Sequence, residues 1–423
     1  MSFTPKVVNL SGLKVVLVPD DRETVTVRAL IGTGSREEEA DSLGSAHFLE
    51  HFVLRGTRKY PVDINAYVDG LGGVIDAYTS QETLSFMVKL GREKTETAVD
   101  LVGQLVSEPL LPMKLIEGEK KIITEEIKFR DDDPETKAFR EMWRQMYRRS
   151  NLGRPIAGTF ETVAATTVAK LRHYLDHWFV PGNVIVGVVG NWEDEKKVLE
   201  QIEESFAPLI ARGKTKLSKD VYVVEDQKRP RVELVTRKSM QQTAVYLGFR
   251  SFGVGDKMVM SRILMNILLG GGCFSRLFRE IREKRGWAYS IGSFPDALSD
   301  TGALMVGAGL PRDKIVAAFS LIKEIIYGLG GAGKWGVKPK ELTLTKDCYK
   351  GRVSLKYDSP QGVLGSALYD LMFEGRMYSA EQLKKEADEV TIEQIREVCK
   401  MIFVPEHLCV GVVGNYEKLP FSL

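Results

Sequence analysis

The sequence predicts an α+β protein built from two homologous, duplicated domains, each a mainly antiparallel sheet packed with helices. Three observations predict it. The first is an internal repeat. Residues 179–191 read Phe-Val-Pro-Gly-Asn-Val-Ile-Val-Gly-Val-Val-Gly-Asn, and residues 403–415 read Phe-Val-Pro-Glu-His-Leu-Cys-Val-Gly-Val-Val-Gly-Asn, so nine of thirteen positions are identical at an offset of 224. That period is too long for a solenoid unit and fits a duplicated domain. The second is strand-type alternation opening each half, at 24–31 and again at 243–249. The third is that helix-period stretches follow the strands in blocks, the pattern of helices segregated from a sheet.

Along the first half the periodicity predicts helices at 42–54, 62–70, 94–108 and 113–129. An amphipathic helix at 168–178 then runs through Pro181 into an apolar strand ending at Gly190-Asn191. The polar stretch 211–220 reads as a linker. In the second half helices are expected at 257–269, 275–285, 312–329 and 392–402, the last leading into the second copy of the strand. The domains are accordingly placed at 1–209 and 223–423, joined by 210–222.

Composition narrows the function. The 423 residues carry 59 basic and 57 acidic side chains, a net charge of +2. That balance lacks the basic field that draws a protein to nucleic acid or to an anionic membrane. An apolar content of 43% is that of a packed globular protein. The run Val184-Ile185-Val186-Gly187-Val188-Val189 is strand-sized, far from the roughly 20 residues of a membrane helix. The first residues alternate and show no charged-then-apolar leader, so a cytoplasmic location is expected. Cys273, Cys348, Cys399 and Cys409 are far apart, which fits reduced thiols rather than disulfides or a cysteine zinc site.

The chemistry concentrates in the first half. In His47-Phe48-Leu49-Glu50-His51 the two histidines lie one turn apart on one helix face, with Glu50 beside them. Two imidazoles so spaced can reach one Zn²⁺, and the carboxylate can take a proton from water; the order inverts H-E-x-x-H. The bland alternative is a packed, hydrogen-bonded histidine pair. His173 and His177 share the spacing but sit in the duplicated helix, where the second copy has Glu397 and Met401, so they read as scaffold. A third ligand is sought on 113–129. There Ile116, Glu119, Ile123 and Glu126 form one inward stripe, while Glu125 is turned about 100° away toward solvent. Carboxylates on such a stripe need a metal or a basic partner. In the second half the glycine-rich Gly270-Gly271-Gly272 loop lacks a Gly-Lys-Ser/Thr ending, which argues against a nucleotide site.

These residues resemble the pitrilysin family, with insulin-degrading enzyme and the mitochondrial processing peptidases, in its half-length, two-domain form. The family pattern is H-x-x-E-H followed about 75 residues later by a glutamate that ends an E-x-x-x-x-x-x-E segment. Here Glu126 lies 75 residues after His51 and Glu119 opens the segment. The resemblance implies His47, His51 and Glu126 as ligands of one Zn²⁺ per chain, Glu50 as general base and Glu119 as a supporting carboxylate. The stretch Asp76-Ala77-Tyr78-Thr79-Ser80-Gln81-Glu82-Thr83 looks like the family strand on which a substrate peptide adds, with Asp76 in place of the usual Asn; an ionised Asp cannot donate the hydrogen bond that Asn does. Arg282 and Tyr289 match an R-x-x-x-x-x-x-Y pair that orients the scissile carbonyl.

The function expected is therefore a zinc metalloendopeptidase that hydrolyses unfolded peptides or processes precursors. Full-length relatives carry four such domains and this chain two, so the resemblance implies a homodimer, or a heterodimer with a related chain, closing around a chamber. Two readings compete with it: a catalytically inactive scaffold or partner subunit of the same fold, which would typically have lost zinc ligands, and a plain binding protein with a packed histidine helix.

Overall fold

A computed structural model describes residues 4–213 and 217–423, so residues 214–216 of the expected linker lie outside the described residues. The chain packs as two compact units. The first holds a sheet of β1 (Lys6–Leu10), β2 (Leu13–Pro19), β3 (Thr24–Ile31), β4 (Val74–Thr79), β5 (Leu84–Gly91) and β6 (Val184–Gly190), in the spatial order β1-β2-β6-β3-β5-β4. Every neighbouring pair is antiparallel except β2 with β6. With it go α1 (Ser45–Phe52), α2 (Ile64–Gly70), α3 (Thr95–Ser107) and most of α4 (Ile116–Asp132).

All seven residues of β6 are buried, which is why its sequence reads as an unbroken apolar run. Val184, Val186 and Val188 join the core made with Phe48 and Phe52 of α1 and Leu101 and Leu105 of α3. Ile185 and Val189 turn the other way, into a second cluster with Val363, Leu364 and Leu368 of the helix Pro360–Phe373.

The second unit repeats this plan. Its sheet holds β7 (Arg231–Thr236), β8 (Gln242–Ser251), β9 (Ile291–Ala297), β10 (Gly302–Pro311) and β11 (Cys409–Gly414), in the order β7-β11-β8-β10-β9. Here α5 (Pro134–Met146) covers β11 and β8, with Ala138 and Met142 against the strands. The sheet has five strands, since no described segment occupies the place outside β7 that β1 occupies outside β2.

The two units are not the contiguous stretches 1–209 and 223–423. The first takes Leu355–Tyr378 and the second takes Lys128–Gly153. Each sheet thus covers its second face with a helix drawn from the other half of the sequence. Both helices begin alike: the side chains of Asp133 and Ser359 accept the N–H of the third residue on, and a proline follows each. The expected helix at 42–54 is shorter, Ser45–Phe52 with a 3₁₀ turn after it, and 275–285 contains a π-helical segment, Phe278–Glu283. Among the described residues no helix is long and apolar enough to cross a membrane.

The repeated glycines Gly187 and Gly411, 224 residues apart, mark where these helices cross. A Cβ on Gly187 would lie 2.5 Å from Leu364 Cδ1, and one on Gly411 would lie 2.0 Å from the Ala138 carbonyl oxygen. A leucine side chain can move, whereas a helix backbone cannot without repacking. Gly411→Ala is therefore expected to cost about 1–3 kcal/mol or more and lower the midpoint of thermal unfolding by several degrees. Gly351→Ala, where a Cβ meets open space inside the helix Pro339–Tyr357, should raise stability by up to ~1 kcal/mol instead. Calorimetry of the two variants checks the contrast in sign.

Candidate metal centre

The segment His47–His51 rides on α1, whose two faces do different work. Phe48, Leu49 and Phe52 are buried in the core. His47, Glu50 and His51 lie on the other side, the histidines against Glu119 and Glu126 of α4 and Glu50 toward β4. The start of α1 is held tightly. Gly44 precedes it at φ 90°, and a Cβ there would lie 2.7 Å from the Ala157 carbonyl oxygen, so both backbone and space demand glycine. The Glu38 carboxylate, 2% exposed as a residue, accepts the N–H groups of Gly44 (2.7 Å) and Ala46 (2.8 Å). It thus caps the helix from outside. Burial pushes the Glu38 carboxyl up to about 8 against those two bonds and the nearby Arg154.

On α4 the stripe points as its spacing demands. Ile116, Glu119, Ile123 and Ile127 are buried, Glu126 is half-buried and Glu125 is exposed. Glu126 Oε2 lies 3.5 Å from Nε2 of His47 and 3.5 Å from Nε2 of His51. One donor atom from each of the three residues falls within 4.8 Å of the others. Two donors each bound at about 2.0–2.1 Å to a tetrahedral ion stand about 3.3–3.4 Å apart. The carboxylate stands at close to this separation from each imidazole nitrogen; two imidazoles and a carboxylate are a donor set that fits zinc, and three protein ligands are the number that leaves a coordination position open.

The two histidines are held differently. His51 Nδ1 meets Glu119 Oε1 at 3.1 Å. Glu119 Oε2 accepts Nε of Arg55 (2.8 Å), whose Nη1 donates to Asp63 (2.8 Å). Asp63 in turn caps α2 by accepting the N–H of Ala66. Burial works against charging His51, yet the hydrogen bond and field of Glu119, with Glu126 and Glu50 behind, raise its pKa in the metal-free protein. Burial likewise opposes the charged form of Glu119, but its bonds to His51 and Arg55 hold it below the ordinary carboxylate value. His47 Nδ1 is buried with no hydrogen-bond partner, so that ring is oriented by packing.

Glu50 faces a cavity of about 210 Å³ whose walls include His51, Leu54, Arg55, Asp76 and Ala77. The hydroxyl of Thr79, on the edge strand β4, donates to Glu50 Oε2. Tyr78 stands exposed on the same strand. Arg282 and Tyr289 belong to the second unit, where the Arg282 guanidinium lies over the Tyr289 ring at 5.2 Å and Tyr289 is 80% exposed. His173 and His177 are exposed on the helix Val168–Trp178 and join no group of three metal-ligating residues among those described. Sequence reasoning gave no role to Thr79, Arg55, Asp63 or Glu38. Arg55 alone carried a signal, four residues after His51 and hence on its helix face.

Known proteins of the same build now place the chain. Residues 14–160 match the family model described as insulinase, peptidase family M16, and residues 165–347 match the one described as the peptidase M16 inactive domain. A Mycobacterium leprae protein named an uncharacterized zinc protease is 30% identical over 408 residues, covering 96% of this chain and 90% of its own. One of Bacillus subtilis, named likewise, is 28% identical over 400 residues, 94% of this chain and 95% of that one. A crystal structure titled a protease from Helicobacter pylori superposes with a TM-score of 0.88 at 21% identity, over 98% of this chain and all of that one. The chain belongs to peptidase family M16, the insulinase family.

Glu126→Gln, which removes an anionic donor, is expected to weaken zinc binding by at least tenfold, while Glu125→Gln leaves it within twofold. Glu119→Gln should weaken it by about 10–100-fold through the looser His51 ring. Competition with a chromogenic chelator measures all three. Metal loss in Glu125→Gln and not in Glu126→Gln would invert the assigned face of α4.

Proposed function

We propose that the chain is a zinc-dependent endopeptidase acting on unfolded peptide segments. The observation that carries this reading is the convergence of His47, His51 and Glu126 beside a carboxylate, Glu50, that is aimed into the adjoining cavity by Thr79. The names of the relatives support it. Zinc held by His47, His51 and Glu126 would supply Lewis acidity, polarising the scissile carbonyl and making water acidic enough to give up a proton near neutrality.

The protein's own groups do the rest. Glu50 accepts the proton of the attacking water and returns it to the leaving amine. Thr79 fixes the carboxylate rotamer by occupying Oε2, which leaves Oε1 for the water. The substrate backbone adds along β4, the outermost strand of its sheet, past Asp76, Ala77 and Tyr78. An ionised Asp76 can accept a substrate N–H but not donate to a carbonyl, so the peptide is held there by its amides. Arg282 and Tyr289 take the role the family resemblance gives them, donors to the carbonyl oxygen as it becomes an oxyanion. The working assembly is a dimer of two-domain chains in the cytoplasm, with one zinc per chain. A catalytically inactive scaffold of this fold is the competing reading, and it predicts no metal and no turnover.

Glu50→Gln is expected to keep zinc within twofold of the parent content and to lose peptide hydrolysis by at least a thousandfold, since an amide keeps the shape and cannot act as a base. Metal analysis alongside a fluorogenic-peptide assay reads both. Turnover at the parent rate in the zinc-loaded variant would remove Glu50 from the mechanism. Because the substrate must add as a strand, casein-like or denatured chains should be cut while the same protein in its native fold resists; equal rates on both would contradict strand addition.

A further inference from the structure

The duplication leaves one strand position of the second unit open. In the first unit β1 lies antiparallel on β2, and β2 is parallel to β6. In the second unit β7 stands in the place of β2, parallel to β11, and is outermost. The N–H groups of Arg231 and Arg237 point toward β11, donating to the Leu408 and Gly414 carbonyls at 2.9 Å each. Residues of a parallel ladder alternate in the edge they face, so Val232, Leu234 and Thr236 turn their N–H and C=O groups outward. No described segment pairs with them. The residues leading into β7 do not fill the place. Val221, Val223 and Val224 are exposed, and the Tyr222 N–H is engaged by Asp300 instead.

At the start of this edge lies a cleft of about 550 Å³ whose walls carry Arg148, Lys228, Arg229 and Arg231 against a single carboxylate, Asp226. Lys228 pairs with Asp226 at 2.6 Å, and Arg231 with the buried Glu225 behind the wall. Glu233, next along the strand, is taken by Arg144 at 3.1 Å. Arg148 and Arg229 have no acidic partner among the described residues. Two guanidiniums, Arg148 and Arg229, are thus left over as a local excess of positive charge, placed where an added strand would begin or end.

We propose that the second unit binds an extended acidic peptide as a sixth strand on β7, antiparallel as β1 is on β2, with its carboxylates held in the cleft by Arg148 and Arg229. The outward N–H and C=O groups of Val232, Leu234 and Thr236 supply sequence-independent main-chain bonds, and the cleft supplies the preference for acid. The site is separate from the candidate metal centre in composition and does not depend on the peptidase reading.

The test uses the full chain carrying Glu50→Gln, so that no peptide is consumed. A fluorescein-labelled peptide alternating Glu and Val is titrated by fluorescence anisotropy beside a matched Lys and Val peptide, and hydrogen exchange locates the protected amides. The acidic peptide should bind at least tenfold more tightly than the basic one, weaken as salt rises, and protect Val232, Leu234 and Thr236. Arg148→Glu with Arg229→Glu should weaken it at least tenfold. Val232→Pro removes an outward N–H while sparing every bond to β11, so it should weaken binding to a similar extent with an unchanged unfolding midpoint; it decides the matter if the double reversal fails to fold. Equal binding of the two peptides, protection at Val74–Thr79 in place of β7, or unchanged affinity in Val232→Pro would each overturn the proposal. Protection of β7 that appears without peptide and grows with protein concentration would assign the edge to a second copy and overturn it as well.

Discussion

A strand that is apolar on both faces is stable only when both faces are covered, and β6 and β11 are such strands. Each large apolar side chain taken out of water contributes roughly 1.5–3 kcal/mol, so an uncovered face would be costly. In the first unit one face of β6 is closed by α1 and α3 and the other by the helix Pro360–Phe373. The placement of α1 follows from this. Phe48, Leu49 and Phe52 are committed to the core, and the 100° step of the helix then turns His47, Glu50 and His51 away from it, the histidines toward α4 and Glu50 toward β4. The geometry of the candidate metal centre is in this sense a by-product of closing the sheet.

Much of the centre was legible in the sequence because it depends on local spacing. The i, i+3, i+4 set of His47, Glu50 and His51 needs only a helix, and the stripe of Ile116, Glu119, Ile123 and Glu126 needs only another. The repeat likewise announced two related sheets. The exchange of helices was not legible. Neither α5 nor Pro360–Phe373 is among the helices expected from periodicity, and their apolar residues are silent on which sheet each covers. The two glycines that admit them, Gly187 and Gly411, read in sequence as ordinary members of an apolar strand. Nor could spacing find Thr79 beside Glu50 or Glu38 at the head of α1. Those contacts join residues whose types are common and whose separation in sequence carries no period.

The polar side of the centre is a chain of hydrogen bonds running from His51 through Glu119 and Arg55 to Asp63. Each member answers the desolvation of the next: Glu119, nearly inaccessible, is balanced by Arg55 on one oxygen and His51 on the other. The chain ties α4, the turn after α1 and the first residues of α2 together before any ion arrives. Little rearrangement would then be left for an ion held by His47, His51 and Glu126 to drive. His47, with no partner on Nδ1, lies outside this chain and relies on the density of its surroundings.

The carboxyl at the head of α1 has a thermodynamic side. Glu38 is ionised in an unfolded chain above about pH 4.5, whereas in the fold burial holds its proton up to about pH 8. Between those limits the native state binds a proton that the unfolded state does not, so folding of the first unit is coupled to proton uptake and this residue's contribution to stability declines as pH rises through that interval. The groups around it are Arg154, which opposes the shift, and the buried Tyr174, whose own ionisation Glu38 disfavours. The helix start that carries His47, Glu50 and His51 is thereby anchored by a neutral acid in the lower half of that interval and by an increasingly ionised one toward its end.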